Sequence, residues 1–321
     1  MTYFIPGYIK VKEKLDNFYI INNVDKSILE LENEYLNDLK KFFKYGTENI
    51  DSELKKFLYN NHVLLTISET KQYLNNFFKY MENTLEITIL ITEQCNFRCK
   101  YCYEKFEYGE IELNDLNIII DFIENEIKRH AFKKMHISWF GGEPLLSLDK
   151  IIYAQERINS FVKKYNMVID SSMTTNGYLL SIQVFKKLIE LNINKYQITI
   201  DGNNHNDLRV LENGEPTLNM ILNNIREICD SPYDFKIYLR HNVTANDWDC
   251  SWYDVIKNII HQDKRFKIII EPVSDLGNLK SNLKLLYNNY DLLTKHIEYA
   301  KKIDLDVCEL NFNFSTYCYA K

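Results

Sequence analysis

The side chains in this sequence best suited to chemistry are three cysteines that lie within eight residues of one another. Cys95, Cys99 and Cys102 have the spacing Cys-x3-Cys-x2-Cys and follow an apolar run that reads as a strand. Thiolates are soft ligands, which suit zinc, copper(I) and iron–sulfur centres. Three thiolates this close along the chain can converge on one centre, so the spacing predicts a metal site.

Buried thiols and a zinc site are the two simpler interpretations of this segment. Structural zinc normally takes four protein ligands, and the fourth would have to be His136 or a distant cysteine. Iron–sulfur clusters usually take four cysteines. A [4Fe–4S] cluster on three thiolates would leave one iron open to another molecule, which indicates a catalytic cluster.

The cysteine segment resembles the radical SAM signature Cys-x3-Cys-x-aromatic-Cys, with Tyr101 as the aromatic residue. The resemblance implies a [4Fe–4S] cluster on Cys95, Cys99 and Cys102, with S-adenosylmethionine on the open iron and Tyr101 near its adenine. One electron, from a donor of the flavodoxin or ferredoxin type, would cleave that molecule to methionine and a 5′-deoxyadenosyl radical. The radical would abstract a substrate hydrogen, so the cofactor would carry the hard chemistry.

Two further segments resemble turns of the same family. Gly141-Gly142-Glu143-Pro144 allows close backbone approach and offers a carboxylate to an ammonium group. Alone it would be a plain turn, but beside the cysteines it implies that Gly142 and Glu143 bind the methionine part of the cofactor. Residues 174–177, Thr-Thr-Asn-Gly, resemble the family's Thr-Asn-Gly turn, and a simple strand-to-helix turn is the alternative.

A third segment resembles the Ser-Leu-Asp-Gly…His-Asp-x-x-Arg stretch of the peptide-modifying branch. Here residues 199–202 read Thr-Ile-Asp-Gly and residues 205–209 read His-Asn-Asp-Leu-Arg. Thr199 keeps the hydroxyl and is predicted to contact the ribose. Arg209 can offer a bidentate fork to the methionine carboxylate, with a structural ion pair as the alternative. Asp201 either closes the turn or contacts ligand.

The elements that must position these residues form six strand-then-helix units. The predicted strands are Leu85–Thr92, Met135–Phe140, Met167–Thr174, Tyr196–Ile200, Phe235–Val243 and Phe266–Glu271, and helical patterns follow each of them, the last over about Leu283–Lys301. Such repeats predict parallel strands with helical crossovers. Six units are too few for a complete barrel. We therefore expect an α/β fold, a partial (β/α)6 TIM-like barrel over residues 84–305, with its chemistry at the carboxyl ends of the strands. Arg240, Asn242 and Thr244 share one strand face there, in the barrel interior or in solvent.

The two ends of the chain differ from this core. Residues 1–80 predict a small α+β module, with a helix over Glu34–Tyr45 and another over about Ser52–Tyr59. It is weakly similar to winged-helix-like leader-binding elements of peptide maturases, and a structural cap is the alternative. Residues 306–321 read as a stump leading to an absent SPASM domain, in which Cys318 resembles a first cluster ligand. An auxiliary cluster would need ligands from a longer chain. Cys229, Cys250 and Cys308 are predicted to be packed thiols.

Composition limits the class of protein. The 321 residues carry 39 basic and 45 acidic side chains, a net charge of −6, without the basic excess of a nucleic-acid-binding protein. No apolar run approaches the roughly 20 residues of a membrane span. The chain is therefore predicted to be cytoplasmic, with neither nucleic acid nor membrane as a partner.

Together these features predict a radical SAM enzyme that modifies a ribosomally made precursor peptide or a protein, for example by thioether cross-linking. An anaerobic sulfatase maturase, which forms formylglycine, is one alternative. A non-catalytic zinc or iron–sulfur binding module is the other. The sequence assigns no catalytic acid or base.

Overall fold

The computed structural model describes residues 5, 9–14, 17–22, 28–32, 38, 52–245, 247–273 and 290–308. Most of the predicted helix over Glu34–Tyr45 lies outside these residues, as does Cys318. The chain divides into two compact units, with the boundary between Asn83 and Thr84.

The N-terminal unit contains a three-stranded antiparallel sheet and two helices. The strands are β1 (Ile9–Lys14), β2 (Asn17–Asn22) and β3 (Ile28–Glu32), with β2 in the middle. The helices are α1 (Ser52–Asn60) and α2 (Ile67–Asn83). Thr66 and Glu69 form a capping box before α2, since Thr66 N donates to Glu69 Oε2 at 2.8 Å and Glu69 N to Thr66 Oγ1 at 3.3 Å. The unit combines a small sheet with helices, and an α+β module limited to residues 1–80 stays a prediction.

The second unit is built on six parallel strands that neighbour one another in chain order. They are β4 (Thr84–Thr92), β5 (Lys134–Gly141), β6 (Val168–Thr175), β7 (Ile193–Thr199), β8 (Lys236–Val243) and β9 (Phe266–Pro272). Parallel neighbours need a crossover between them. The sheet confirms the predicted α/β class and the partial TIM-like barrel.

Helices supply the crossovers between these strands, and one more helix follows the last strand. The crossover helices are α3 (Leu113–Arg129), α4 (Leu148–Lys164), α5 (Ile182–Glu190), the short α6 (His205–Leu208), α7 (Leu218–Cys229) and α8 (Trp252–Ile260), and α9 (Tyr290–Lys302) follows β9. In α3, Leu116, Ile120, Ile123 and Ile127 are buried at helical spacing, which places one apolar stripe in the core. None of the helices in the described part of the chain is long and apolar enough to cross a membrane.

The two faces of the parallel sheet differ in character. On β5, Met135, Ile137 and Trp139 are buried in the hydrophobic core. The alternate side chains His136 and Ser138 are only partly buried and form hydrogen bonds. Parallel strands usually bury apolar side chains on both faces, so the polar face is the exception that a binding function would explain.

Candidate cluster and cofactor site

The cysteine loop follows β4 and is held on one side by the end of β5. Gly142 N donates to Thr92 O and Glu143 N donates to Gln94 O, both at 2.9 Å. A Cβ on Gly142 would lie 2.6 Å from Gln94 O, and one on Gly141, whose φ is +146°, would lie 2.2 Å from Thr92 O. Both glycines are therefore required for this close approach of two backbones.

The segment 208–212 holds the loop on its other side. Arg98 N donates to Val210 O at 2.8 Å, and Lys100 N donates to Leu208 O at 2.9 Å. The backbone between the first and last cysteines is thus paired by hydrogen bonds, as in a short strand. The fold itself shapes this loop for three thiols.

The three thiols lie close enough together to influence one another electrostatically. Burial raises the pKa of Cys95 to about 12 and that of Cys99 to about 11, and it also raises the pKa of Cys102. Thiolates in such a place need a positive partner, which a metal centre provides while releasing the thiol protons. Across the described ranges, no three Cys, His, Asp or Glu side chains converge closely enough for a single metal ion. A cluster that takes each thiolate on a different iron does not require that convergence, so the donor set fits a [4Fe–4S] cluster better than zinc.

His136, the candidate fourth zinc ligand, is engaged in a different network. Its Nδ1 lies 3.3 Å from Asp170 Oδ2 and its Nε2 lies 3.1 Å from Ser138 Oγ. It lies near the amino end of β5, whereas the cysteine loop follows the carboxyl end of β4. The structure therefore does not bring His136 to the thiols.

Arg209 is a buried cation beside the cysteine loop. It is 7% exposed, its Nη1 donates to the Tyr101 hydroxyl at 2.8 Å, and its attraction opposes the rise in the pKa of Cys99 and Cys102. Within the described part of the chain its Nε has no acceptor. A buried donor without a partner costs free energy, so this atom indicates a place for a bound acceptor such as a carboxylate.

Tyr101 joins the loop to the ends of β7 and β8. Its hydroxyl donates to Asp201 Oδ2 and accepts from Arg209 Nη1 and, at 3.1 Å, from Asn242 Nδ2. Burial raises the pKa of Tyr101 and of Asp201. The position of the ring against adenine stays a prediction. Asp201 acts in this network through its side chain as well as in its turn.

Glu143 ties the end of β5 to the end of β6. Its buried carboxylate accepts from Leu145 N at 3.0 Å, from Thr175 Oγ1 at 2.7 Å and from Asn176 N at 2.7 Å. Burial raises its pKa, and these donors oppose that rise. A carboxylate has about four acceptor sites, so one is left for the ligand ammonium predicted from the sequence.

Asn176, from the Thr-Asn-Gly turn, also supports the cysteine loop. Its Nδ2 donates to Asn96 Oδ1 at 2.8 Å and lies 3.8 Å from Cys95 Sγ. Thr199 ends β7, is 9% exposed and pairs in register with Arg240 of β8. The ribose contact predicted for Thr199 stays a prediction.

A charged pair lies on the polar face of the sheet next to this network. Arg240 Nη2 is 2.7 Å from Glu271 Oε2, and Arg240 Nε donates to Asn242 Oδ1 at 2.8 Å. Their side chains are 31% and 39% exposed, so both alternatives from the sequence, barrel interior and solvent contact, hold in part. The remaining described cysteines, Cys229, Cys250 and Cys308, are free thiols outside the loop.

Curated proteins with similar sequences include two kinds of enzyme. The radical SAM cyclopropyl synthase TigE of Paramaledivibacter caminithermalis is 26% identical over 235 residues, which cover 59% of this chain and 47% of that protein. A GTP 3′,8-cyclase of Aliarcobacter butzleri is 31% identical over 157 residues, 47% of this chain and 45% of that protein. The chain spans about half the length of these curated relatives.

Solved structures share the fold. Native anSMEcpe with bound AdoMet and Kp18Cys peptide matches with a TM-score of 0.54 at 20% identity, covering 70% of this chain and 63% of that one. SuiB of Streptococcus suis bound to S-adenosylmethionine matches with a TM-score of 0.50 at 14% identity, covering 94% and 71%. SuiB bound to its precursor peptide SuiA also gives 0.50, at 13% identity over 97% and 73%.

The family model of the Radical SAM superfamily matches residues 89–249, which is half of the chain. That span begins in β4, contains the cysteine loop and the Gly-Gly-Glu-Pro turn, and ends beyond β8. The three free thiols and the buried guanidinium of Arg209 lie within this span, as do β5 to β8 of the parallel sheet. This chain belongs to the Radical SAM superfamily.

Proposed function

We propose that this protein binds a [4Fe–4S] cluster and S-adenosylmethionine and modifies a peptide or protein substrate. The observation that carries the proposal is the meeting of three thiols, a buried carboxylate and a buried guanidinium with a free donor at one edge of the parallel sheet. When bound, the cluster and S-adenosylmethionine supply a radical able to take a hydrogen atom from an unactivated carbon.

The residues of the chain would divide the binding between them. Cys95, Cys99 and Cys102 hold the cluster, and the charge of Arg209 favours the thiolates of Cys99 and Cys102. The free Nε of Arg209 takes the methionine carboxylate, because a guanidinium can serve Tyr101 and a ligand with different N–H groups.

The other end of the ligand would be held by neighbouring strand ends. The remaining acceptor site of Glu143 takes the ammonium group, and the absence of a Cβ at Gly142 lets the backbone approach. Thr199, at the end of β7, would contact the ribose, and Tyr101 would lie near the adenine.

A peptide or protein substrate is supported by the polar face and by the fold neighbours. The half-buried pair Arg240 and Glu271 offers donors and acceptors next to the Tyr101 network. The solved neighbours anSMEcpe and SuiB were captured with the Kp18Cys peptide and the precursor peptide SuiA, respectively. Thioether cross-linking is the proposed type of product, with formylglycine formation as the alternative.

The N-terminal unit is proposed to bind the leader part of a precursor. Among the described strands, β1 and β3 each pair on one side only, which leaves an edge for strand addition by an extended peptide. A low-potential flavodoxin or ferredoxin in the cytoplasm would supply the electron.

Anaerobic reconstitution tests the proposal. We expect about four iron and four sulfide per chain, broad absorbance near about 400 nm, and 5′-deoxyadenosine when dithionite and S-adenosylmethionine are added. Cys99→Ala should abolish the 5′-deoxyadenosine. Cys229→Ala, which removes a free thiol outside the loop, should leave its formation unchanged. A colourless zinc protein that forms no 5′-deoxyadenosine would contradict the proposal and favour a non-catalytic metal-binding module.

A further inference from the structure

A chain of three hydrogen bonds connects the turn after β7 to the backbone of Arg209. Asp201 N donates to His205 Nδ1 at 3.2 Å, His205 Nε2 lies 3.0 Å from Thr217 Oγ1, and Thr217 Oγ1 donates to Arg209 O at 2.7 Å. His205, Thr217 and Asp201 are fully buried. None of these bonds is made by the groups proposed to touch the cluster or S-adenosylmethionine.

Only one arrangement of protons satisfies all three hydrogen bonds. A backbone N–H can only donate, so His205 Nδ1 must be the acceptor and the imidazole proton must be on Nε2. That proton goes to Thr217 Oγ1, whose own hydrogen goes to the Arg209 carbonyl. The imidazole must be neutral, and burial, which lowers the pKa of His205 to about 2, keeps it so.

The same residues are also held through their backbone. Arg209 N donates to His205 O at 2.7 Å. The Asn206 side chain accepts from Thr217 N and from Leu218 N, both at 3.1 Å, at the beginning of α7. The N–H and the C=O of Arg209 are therefore both fixed, by His205 O and by Thr217 Oγ1.

The fixed backbone sits at the centre of the candidate site. The carbonyls on either side of Arg209, those of Leu208 and Val210, accept from Lys100 N and Arg98 N of the cysteine loop. The guanidinium itself carries the free Nε. A shift of the Arg209 peptide would thus move the proposed carboxylate donor and the support of the cysteine loop together.

We infer that His205 and Thr217 are positioning residues that set the affinity for S-adenosylmethionine by locking the backbone of Arg209. This role rests on the proposed function and deepens it. Buried, fully satisfied polar networks are rigid, and removing one member leaves its partners unsatisfied. The two residues touch neither the thiols nor the proposed ligand directly, so their loss should change binding more than the rate of the bound complex.

Thr217→Val tests this with little change in volume. It removes the acceptor of His205 Nε2–H and the donor to Arg209 O. We expect the Kd for S-adenosylmethionine, measured by calorimetric titration of the reconstituted protein, to rise about 10-fold. The KM for 5′-deoxyadenosine formation should rise in parallel, while the rate at saturation stays within about 3-fold. Thr217→Ser keeps the hydroxyl and should restore Kd to within about 2-fold.

Two further variants separate positioning from stability. Ser171→Ala removes another buried hydroxyl, which accepts from Gln155 Nε2 at 3.1 Å on the core side of β6, and should leave Kd unchanged. His205→Gln breaks the same chain at its middle and should reproduce the rise in Kd. If Kd were unchanged in folded Thr217→Val and His205→Gln, whatever their melting temperatures, the inference would be wrong. The proposed function would not be affected by that result. Failure of the reconstituted wild-type protein to bind S-adenosylmethionine would overturn both.

Discussion

At the scale of single residues, one buried positive charge organises several acidic groups. Burial raises the pKa of Cys99, Asp201 and Glu143, and the attraction of Arg209 opposes that rise for all three. The thiolates that a cluster requires are therefore favoured by a residue that also has a donor free for a carboxylate. Charge and hydrogen-bonding geometry make separate contributions, which a substitution can separate.

Arg209→Lys keeps the charge and removes the planar fork. A lysine ammonium is a point charge that cannot reproduce both the bond to Tyr101 and the direction of Nε. We expect iron content close to that of the wild-type protein but an S-adenosylmethionine Kd at least about 10-fold higher, as loss of a charge-assisted bond implies.

Equilibrium titration and iron analysis check this expectation. Arg226→Lys, at an exposed position of α7 where Nη1 donates to Asn223 Oδ1 at 2.9 Å, serves as the control and should leave Kd unchanged. Wild-type affinity in Arg209→Lys would mean that charge alone is recognised.

Residue types and spacing predicted much of the site but not its cross-connections. The three cysteines of the site can be identified from the sequence because Cys95, Cys99 and Cys102 are close together along the chain. The bond between Asn242 and Tyr101 joins residues 141 positions apart and depends on the register of β8 against the loop. The similar stretch of the family has Asp where this chain has Asn206. The difference is compatible with the turn, because the Asn206 side chain caps α7 through an oxygen that Asp would also offer.

At the scale of elements, strand prediction worked where apolar side chains dominate and failed where the polar face interrupts them. The observed β4 begins one residue before the predicted strand. The predicted fourth strand began at Tyr196, whereas β7 begins at Ile193, because the polar residues Asn194 and Lys195 hide its start. Polar residues on one face of the sheet thus interrupt the apolar pattern from which strands are predicted.

Contact between two loops decides whether the cysteine loop keeps its shape. Gly142→Ala would place a Cβ 2.4 Å from Glu93 O and 2.6 Å from Gln94 O, and both are backbone atoms that cannot turn away. We expect a loss of about 1–3 kcal/mol of stability, typical of overpacking, together with reduced iron content after reconstitution. Displacement of the loop, which carries the three thiols, is the physical reason.

Gly109→Ala is the matched control for that substitution. A Cβ at Gly109 meets nothing within 4 Å, and this residue lies in the same connection after β4. Its iron content and denaturation midpoint should match those of the wild-type protein. If Gly142→Ala also bound a full cluster, the close approach of the two backbones would not be what shapes the loop.

At the scale of the whole molecule, two buried histidines link stability to pH. The pKa of His205 is lowered by burial to about 2, and burial also lowers the pKa of His296. An unfolded histidine titrates near about 6.5. Below that pH the unfolded chain takes up a proton that the folded chain refuses, so the stability present above about pH 6.5 is lost progressively as the pH falls towards the folded pKa.

The expected loss for His205 is about 1.4 kcal/mol for each pH unit below about 6.5. Glu143 and Asp201 have raised pKa values and act in the opposite direction, since the folded chain then binds protons more readily. The contribution of His205 must therefore be isolated as a difference between variants.

Urea denaturation of the wild-type protein and of His205→Gln at about pH 7.5 and pH 5 measures this contribution. The gap between their free energies of unfolding should narrow by about 2 kcal/mol at the lower pH. His130→Gln, whose side chain is 58% exposed, should follow the wild-type dependence. A constant gap between the wild-type protein and His205→Gln would mean that His205 accepts a proton in the folded state, which the donor from Asp201 N forbids.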